Sequence, residues 1–489
     1  MAPILPPAST DRARRHAGTA VFRCDAGPGI GAGHVHRCLA IAAALARLGW
    51  RCRFVVGPDT PSAVPALAAD AHPVTAVADA AAEHAALFAA GADLLVLDHY
   101  GRDAAFSGPW RRGGMRVLAL DDAPARAQDC DILLDATPGR VPSDYAGLLP
   151  PDCRAMLGPA FAPLHADFRR LRGPTLARRS TEVRRVLVAV GGADGTAATA
   201  SAARAAASAL PDAAIDVVAG GGAPSLAGIR DAVATIGPRC RLHVDTPRMA
   251  ELIAAADLAV GAAGVSAWER CALGLPALVF SAAANQKANA AALAATGAAE
   301  VLGTPEAWNA DGLAARIAAL AGDATRLRSM SAAAAVLTDG AGALRAALAL
   351  AGEIALADGG IVALRPAGEA DTEMLLSWQA EPGARRFARD PTVPDAEAHA
   401  RWFAHRLADA AGLTAVVTVD RAGAGTVRLD IHPHGREVAV MVGAAWRGRG
   451  VATAALALLR RAAPRLDLWA EILPGNAASQ RLFASAGYR

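Results

Sequence analysis

The sequence predicts an α/β protein in which two doubly wound domains are followed by a smaller α+β domain. At 489 residues the chain is too long for one hydrophobic core, because cores stop growing beyond roughly 250–300 residues. Over most of the chain, short apolar runs alternate with longer helical patterns, which favours parallel sheets covered by helices. After residues 357–360 (Ala-Asp-Gly-Gly) the pattern changes to helices first and strands second, which predicts a third domain of another class.

The first domain is predicted over residues 19–172, after a flexible leader over residues 1–18. In the leader the charged residues follow the apolar stretch, which is the reverse of a signal peptide. Helices are predicted at His34–Leu48 and Asp79–Ala90, and the polar segment Gly173–Glu182 is typical of an interdomain linker. The predicted buried strands are Val21–Arg23, Arg53–Val56, Leu94–Leu97, Arg116–Leu120 and Ile132–Leu134.

The second domain is predicted over residues 183–352 and the third over residues 361–489. The second repeats the α/β pattern, with strands at Arg185–Val190, Ile215–Ala219, Arg241–Val244, Leu258–Val260 and Ala277–Phe280. In the third, strands are predicted at Ile361–Leu364, Ala415–Val419, Gly425–Leu429, Glu437–Val442 and Leu466–Ala470.

Composition excludes several kinds of chemistry. The net charge is +3, from 49 basic and 46 acidic residues, and gives no reason to propose a nucleic-acid partner. Lys287 is the only lysine in the sequence, so no glycine-rich stretch carries the lysine of a Walker-type phosphate loop. The seven scattered cysteines include no C-x-x-C pair, which favours a reducing cytoplasm over a disulfide scaffold or a zinc site. No uncharged apolar run approaches about 20 residues, so no membrane partner is expected.

A glycine-rich turn after the first predicted strand leads into a helix that begins near His34. Gly31 and Gly33 let backbone N–H groups approach an anion at the positive end of this helix. The same potential disfavours a charged imidazolium, so His34 is expected to be neutral and available as a general base. A structural role for a single histidine remains the alternative.

Matching features occur in the second domain. Gly191 and Gly192 follow a strand, and the turn at Gly264 and Ser266 opens a helix whose N–H groups suit a diphosphate. Glu269, one turn further on, is expected to accept hydrogen bonds from ribose hydroxyls, and a helix-capping acid is the alternative. Asn285 and Gln286 complete this set of candidate nucleotide-binding residues.

A series of motifs runs through residues 20–340 in a fixed order. They are Phe22-Arg23-x-Asp25, Gly31-x-Gly33-His34-x-x-Arg37-Cys38-Leu39, Asp98-His99-Tyr100-Gly101, Asp121-Asp122, Cys130–Leu134, Ser143-Asp144-Tyr145 and Gly191-Gly192. With these motifs the two glycine-bearing domains resemble the GT-B fold, and residues 20–340 are similar to the UDP-2,4-diacetamido-2,4,6-trideoxy-β-L-altropyranose hydrolases of pseudaminic acid biosynthesis. The chain departs from that pattern at His165, where an arginine is expected.

The resemblance implies attack of water on the anomeric carbon with UDP as the leaving group and no metal. It implies that His34 is the base, with Asp25 and Tyr100 as further catalytic residues and with Arg37 on the substrate. Gly264 to Glu269 would hold the nucleotide. The pair Asp121-Asp122 is expected to end a strand and cap the next segment rather than bind a metal.

In the third domain the motif Arg-x-x-Gly-x-Ala, at Arg447 to Ala452, follows the predicted strand Glu437–Val442 and opens a helix. This motif resembles the GNAT acetyltransferase superfamily, which receives the pyrophosphate of acetyl-CoA at this helix N-terminus. The implied acetyl-CoA residues are Arg447, Gly448, Arg449, Gly450, Ala452 and Asn476. Trp378, Arg385, His399 and Trp402 resemble acetyltransferases that modify aminosugar nucleotides. Phe483 stands where many members place a tyrosine acid, and Glu437 is either a base or a solvent-facing carboxylate.

Together these features predict a bifunctional cytoplasmic enzyme that acetylates the 4-amino group of a UDP-sugar and then releases UDP by hydrolysis. The alternatives are a GT-B glycosyltransferase with a UDP-sugar donor and a nucleotide-sugar-binding protein with an inactive acetyltransferase domain. A GNAT fold normally continues past the Asn476 helix into two more strands. The third domain is therefore expected to be truncated and least stable, and another chain is expected to complete it.

Overall fold

The computed structural model describes residues 18–27, 30–191, 198–283, 286–304, 309–433 and 435–488. Among these residues the chain forms two compact units. One unit contains Thr19–Ala42 and Arg51–Ala343, and the other contains Gly18, Ala43–Trp50 and the chain from Leu344 onward. The first unit holds two sheets and the second holds one, so each of the three predicted domains contains one sheet.

The first sheet is parallel and has seven strands in the order β3-β2-β1-β4-β5-β6-β7. Sequence patterns missed β3 and β7, the two edge strands, because neither short strand has a buried apolar run: β3 has no buried residue and β7 has one. The strands are β1 (Thr19–Cys24), β2 (Arg51–Val56), β3 (Val74–Ala76), β4 (Leu94–Asp98), β5 (Arg116–Leu120), β6 (Ile132–Asp135) and β7 (Arg154–Leu157), and the helices are α1 (Gly33–Arg47), α2 (Thr60–Ala63), α3 (Ala66–Ala69), α4 (Ala80–Ala89), α5 (Ala104–Arg112) and α6 (Ala166–Arg178).

The second sheet is also parallel and has six strands in the order β10-β9-β8-β11-β12-β13. Its strands are β8 (Arg185–Ala189), β9 (Ala214–Ala219), β10 (Cys240–Val244), β11 (Leu258–Ala262), β12 (Ala277–Phe280) and β13 (Glu300–Val301). Its helices are α7 (Ala198–Ala209), α8 (Leu226–Ile236), α9 (Met249–Ala255), α10 (Val265–Ala272), α11 (Lys287–Ala295), α12 (Ala310–Ala321), α13 (Ala324–Leu337) and α14 (Gly342–Ala349).

The third sheet runs β14-β15-β16-β17-β18-β19, antiparallel except for the parallel pair β18 and β19. As predicted, two helices precede the strand meander, and they pack on the sheet around Trp378, Phe403 and Val416. The strands are β14 (Ile354–Ala355), β15 (Ile361–Pro366), β16 (Leu413–Val419), β17 (Ala422–His432), β18 (Gly435–Val442) and β19 (Leu468–Trp469), and the helices are α15 (Thr372–Ala380), α16 (Ala396–Ala408), α17 (Val451–Ala462) and α18 (Ala477–Ser485).

In both parallel sheets the strand order reverses at one place, between β1 and β4 in the first and between β8 and β11 in the second. Loops that leave the carboxyl ends of such neighbouring strands diverge, and the crevice between them is where open α/β sheets bind ligands. The glycine turns that end at Gly33 and Gly264 follow β1 and β11, so both candidate loops lie at these crevices.

The segment Ala324–Ala349 is long and apolar enough to cross a membrane by length and composition, with a hydropathy of 1.2. The segment comprises α13 and α14, and 61% of its most apolar stretch of 18 residues is buried inside the protein. Packing within the fold therefore accounts for its apolar character.

Helix α6 extends through most of the segment that sequence patterns favoured as a linker. Its Arg172 donates to the carbonyls of Ala272 (2.6 Å), Thr338 (3.0 Å) and Ala335 (2.8 Å). These carbonyls lie at the ends of α10 and α13, where a helix leaves its last carbonyls unpaired and favours a cation. Arg172 thus joins α6 to the second sheet's helices.

The Arg172→Ala variant is expected to lose about 1–3 kcal/mol of the free energy of unfolding, because the terminal carbonyls of α10 and α13 lose their donor inside the protein. Urea denaturation followed by circular dichroism measures the change. Arg170→Ala is the matched control, since Arg170 pairs at 2.9 Å with Asp167 on its own helix and should cost at most about 0.5 kcal/mol. Equal losses in the two variants would contradict the assigned role of Arg172.

Candidate active site

The first candidate site lies at the carboxyl ends of β1 and β4, where Cys24 and Asp98 are paired in register. The chain after β1 makes a tight turn in which Gly27 and Gly31 bridge to each other. Gly31 has a φ of +77°, which a glycine adopts without strain. The turn delivers His34 into the first turn of α1, directly above the end of β4.

His34 is buried and its Nδ1 lies 2.5 Å from Oδ1 of Asp98. Arg37, one turn further along α1, donates to both oxygens of the same carboxylate, at 2.8 and 3.0 Å. Burial alone would raise the pKa of Asp98, but the charges and hydrogen bonds of Arg37 and His34 outweigh it and lower that pKa. The Asp98 side chain is 1% exposed and is held as an anion by these two partners.

The ionised Asp98 determines which nitrogen of His34 carries the proton. Arg37 Nη2 also lies 3.2 Å from Nδ1, but the 2.5 Å contact with a carboxylate is shorter and fixes Nδ1 as a donor. The lone pair of a neutral imidazole is then on Nε2, which is the tautomer that a general base requires.

Tyr100 lies beside His34, with ring centroids 4.8 Å apart in an edge-on arrangement. Its hydroxyl donates to Asp122, at 2.8 Å from one carboxylate oxygen and 3.0 Å from the other. Arg37 Nη1 also approaches Asp122, at 3.5 Å, so one arginine contacts both the Asp98 and the Asp122 carboxylates. With 40% of its surface exposed, Tyr100 forms a wall of the site open to solvent.

Asp25 belongs to a separate network. Its carboxylate accepts from the Gly57 N–H (2.5 Å), Arg23 (2.6 Å) and Nε2 of His99 (2.9 Å). Burial opposes ionisation of Asp25, but the bonds from His99, Arg23 and Gly57 outweigh it and lower its pKa. Nδ1 of His99 accepts from the Gly101 N–H (2.9 Å), so Asp25 and His99 hold the turn that carries Tyr100. The geometry therefore gives Asp25 a positioning role.

Asp121 caps the segment after β5, as its sequence position suggested. Its Oδ1 accepts from the N–H groups of Asp122 (2.9 Å) and Ala123 (3.1 Å) and from Arg126 (3.0 Å). Among the residues that the structure describes, no group of three histidine, cysteine, aspartate or glutamate side chains is arranged to hold a metal ion. His165, at the position of departure from the family, caps α6 by accepting from the Asp167 N–H at 3.3 Å.

The N-termini of α1 and α10 lie against each other. A Cβ built on Gly33 would stand 3.2 Å from a methyl group of Val265, the first residue of α10. A Cβ on Gly264 would stand 3.2 Å from Nε2 of Gln286. The positive ends of α1 and α10 thus lie close together beside His34, and Gly33 has no side chain where Val265 approaches it.

Only some of the other residues predicted to bind the nucleotide lie in the described part of the chain. Gly191 follows β8 with a φ of +131°, whereas Gly192 and Asn285 lie outside the described residues. Ser266 accepts from Arg270 (3.2 Å), and Gln286 accepts from the Ala282 N–H (2.9 Å). The first of these bonds ties Ser266 to its own helix.

Glu269 differs from the other carboxylates of the site. It is half-buried on α10, and none of the hydrogen bonds or ion pairs among the described residues involves its carboxylate. Burial raises the pKa of Glu269 to about 7, and the neighbouring charge of Arg270 offsets this only in part. A half-buried carboxylate that has no donor among the described residues is an acceptor that a bound ligand can satisfy.

The third domain forms a separate candidate site at the start of α17. Gly448 (φ +76°) and Gly450 (φ +87°) shape the turn, and a Cβ on Gly448 would meet nothing within 4 Å. The turn opens α17, whose first N–H groups, around Ala452, lack partners within the helix. These features fit the pyrophosphate of acetyl-CoA.

Two arginines flank this turn, and both are paired. Arg447 binds Glu381 (2.7 Å) and Arg449 binds Asp358 (2.7 Å). Glu381 also accepts from the Ala444 N–H at 2.9 Å. Asn476 caps α18 by accepting from the Ser479 N–H at 3.2 Å.

Glu437 is buried, so the interpretation of it as a solvent-facing carboxylate was wrong. Arg389 donates to it at 2.6 Å, and Nε2 of His432 lies 2.8 Å from its other oxygen. The side chain stands where β18 and β19 pair, opposite Trp469.

The sequence motif Asp98-His99-Tyr100-Gly101 contains Asp98, but no role was predicted for Asp98 itself. A role could have been predicted, because Asp98 is the polar last residue of an otherwise apolar strand, Leu94–Asp98. Glu381 carried no comparable signal, because its partners Ala444 and Arg447 are more than 60 residues away in sequence.

Comparison with known proteins identifies two domains. Residues 186–344 match the glycosyltransferase family 28 C-terminal domain, and residues 362–489 match the acetyltransferase (GNAT) domain. A search of curated proteins found no match.

Several solved structures are similar to parts of the chain. MurG of Acinetobacter baumannii is 17% identical, covers 66% of this chain and 97% of its own, and has a TM-score of 0.47. The calicheamicin glycosyltransferase CalG4 is 16% identical over 68% of this chain and 96% of its own, with a TM-score of 0.44. The GNAT domain of PAT from S. lividans is 29% identical over 28% of this chain and 86% of its own, with a TM-score of 0.24.

The two family matches coincide with the second parallel sheet and with the antiparallel sheet. The chain therefore has a GT-B glycosyltransferase-like α/β fold with parallel sheets, followed by a C-terminal GNAT domain. Within the GT-B-like part, residues 186–344 are similar to the glycosyltransferase family 28 C-terminal domain.

Proposed function

We propose that the GT-B-like part hydrolyses a UDP-linked diacetamido-trideoxy sugar to free sugar and UDP in pseudaminic acid biosynthesis. We further propose that the GNAT domain uses acetyl-CoA to acetylate the 4-amino group of the precursor UDP-sugar. The observation that carries the hydrolase proposal is the contact of His34 with Asp98 beside the junction of two helix N-termini. In this arrangement the His34 side chain would deprotonate water, and the neighbouring helix N-termini would bind the diphosphate.

In the proposed reaction, Nε2 of His34 takes a proton from water as the water oxygen attacks the anomeric carbon. The bond between that carbon and the UDP oxygen breaks, and UDP leaves with the electron pair. Asp98 and its hydrogen bond to Nδ1 stabilise the imidazolium that forms. Because UDP is a good leaving group, no second carboxylic acid is required to protonate it.

The nucleotide would lie across the junction of α1 and α10. Backbone N–H groups and the positive ends of both helices would stabilise the diphosphate, and Glu269 would accept hydrogen bonds from the ribose hydroxyls. In this arrangement the ribose hydroxyls would donate to the half-buried Glu269 carboxylate, which has no donor among the described residues.

A second candidate is transfer of the sugar to an acceptor, which the match to a glycosyltransferase family 28 domain favours. His34 would then deprotonate an acceptor hydroxyl instead of water. UDP release from a UDP-sugar without any acceptor supports hydrolysis, release only with an acceptor supports transfer, and no release in either case supports a binding protein.

In the GNAT domain, Gly448, Gly450 and the first turn of α17 would hold the pyrophosphate of acetyl-CoA. Arg447 and Arg449 are held at this turn by Glu381 and Asp358, so two cations stand near the expected phosphates. Glu437 is a candidate base for the acceptor amine, since Arg389 and His432 fix its position.

The His34→Asn variant is expected to lose UDP release by about 10²–10⁴-fold, because it removes the base. UDP affinity should change by less than about threefold, since most of the residues proposed to bind the nucleotide belong to the second predicted domain and not to α1. A coupled assay of free UDP and calorimetry with UDP measure the two quantities. His405→Asn, on α16 in the other unit, is the control and should keep both values. A His34 variant with more than half of the wild-type rate would eliminate His34 as the base.

UDP affinity is expected to fall as the pH drops from 8 to 6, because ribose hydroxyls donate to ionised Glu269, whose pKa in the free protein is about 7. The affinity for UDP is highest above that pKa, where Glu269 is ionised, and it weakens below that pKa as the Glu269 carboxylate takes up a proton. A ligand that lowers the pKa by one unit gives about a fivefold change between pH 8 and pH 6, out of a limiting change of about tenfold.

The Glu269→Gln variant is the matched control for this pH dependence. Ionisation of the terminal phosphate of UDP affects both proteins equally, so the difference between their calorimetric affinities isolates Glu269. Identical pH profiles in the two proteins would refute the placement of the ribose.

Gly448→Asp is expected to weaken acetyl-CoA binding by at least about tenfold, because it places a negative charge where the pyrophosphate would lie. Gly448→Asn is the matched control, since asparagine has the same shape and also tolerates a left-handed backbone. Calorimetry with acetyl-CoA compares the two. Equal affinities would show that the cofactor binds elsewhere.

A further inference from the structure

The thiols of Cys130 and Cys153 lie 3.5 Å apart in the first domain. Cys153 immediately precedes β7, which begins at Arg154, and Cys130 lies two residues before β6, which begins at Ile132; Ile132 and Arg154 are paired in register. The 3.5 Å contact and this register place the two cysteines side by side at the start of adjacent strands, as a disulfide requires.

Access to solvent distinguishes this pair from the other cysteines. Cys153 is half-buried, whereas Cys24, Cys38, Cys52, Cys130, Cys240 and Cys271 are buried. An oxidant in solution therefore meets Cys153 first and finds Cys130 directly behind it. Cys24 and Cys38 also interact with each other, but neither thiol reaches the surface.

The surroundings favour a thiolate on Cys153. The hydrogen bond from Cys130, together with the Leu133 N–H and the charge of Arg111, lowers the pKa of Cys153 although burial opposes this. The same contact and burial raise the pKa of Cys130. Cys153 is thus the more accessible and more acidic thiol of the pair, and Cys130 is its buried partner.

Arg111 holds the two strand beginnings together. From α5 it binds Asp129 (3.0 Å) and Asp131 (3.2 Å), which flank Cys130, and Asp152 (2.6 Å), which precedes Cys153. This clamp keeps the two thiols adjacent in the reduced protein, so little movement is needed to join them.

We propose that Cys130 and Cys153 form a reversible disulfide on exposure to a peroxide. The Cys153 thiolate attacks a peroxide oxygen, the O–O bond breaks, and with one proton a sulfenic acid and water form. Cys130 then attacks the Cys153 sulfur, the S–S bond forms, the S–O bond breaks, and a second water leaves. In total, two thiols and one hydrogen peroxide give one disulfide and two waters.

The disulfide would close a loop that contains β6 and the turn Pro142–Tyr145, and would tie down β7, the exposed edge strand of the first sheet. Cross-linking stabilises a fold mainly by restricting the unfolded chain. The cysteines lie at the amino ends of the strands, whereas His34 lies beyond their carboxyl ends. The disulfide is therefore expected to change the stability of the fold and not the site around His34.

The test uses the full chain, reduced and then treated with hydrogen peroxide at one equivalent. Thiol titration under denaturing conditions is expected to fall from the seven free cysteines by two, and non-reducing peptide mapping is expected to join the Cys130 and Cys153 peptides. The melting temperature should rise by roughly 3 °C or more and return after dithiothreitol treatment.

Cys153→Ser should abolish the loss of two thiols and the rise in melting temperature, while Cys240→Ser should keep both. If Cys153→Ser does not fold, the wild-type peptide map decides by itself. An unchanged thiol count, a disulfide between other cysteines, or oxidation of Cys153 to a sulfinic acid without a cross-link would overturn the proposal.

Discussion

The buried carboxylate of Asp98 is the group on which the arrangement of the first site depends. It lies at the end of a wholly buried strand, and an ionised carboxylate in that position requires compensation. Arg37 supplies the charge and His34 supplies a further donor. Satisfying Asp98 therefore fixes the ring orientation and tautomer of His34, and through Arg37 it links to Asp122 and Tyr100. One electrostatic requirement positions four side chains.

The nucleotide side of the site follows the opposite principle. Its distinguishing groups are donors and an acceptor that have no partner among the residues that the structure describes, namely the N–H groups of two helix N-termini and the carboxylate of Glu269. Unpaired polar groups cost stability, and a ligand that pairs with them recovers that cost as affinity. Within the described part of the chain, Asp98 is fully bonded and Glu269 is not, which is why we propose a positioning role for the first and a binding role for the second.

The GNAT domain shows a further use of carboxylates. Glu381 and Asp358 hold Arg447 and Arg449 beside the glycine turn, and Arg389 and His432 hold Glu437 within the sheet. In each case a long side chain is given one orientation by an opposite charge. The sheet, the turn and α17 are produced by local patterns, whereas the three arginine pairings join residues that are distant in the chain.

The sequence by itself determined the α/β class, the central strands of all three sheets and the glycine turns before His34 and Val265. These features depend on local apolar runs and on turn residues, which are visible in a short window. The edge strands β3 and β7 lack such runs and were missed. Only the tertiary structure decided the pairing of His34 with Asp98, the buried state of Glu437 and the proximity of Cys130 to Cys153. These depend on which strands become neighbours, and strand order is set by packing of the whole sheet rather than by any local pattern.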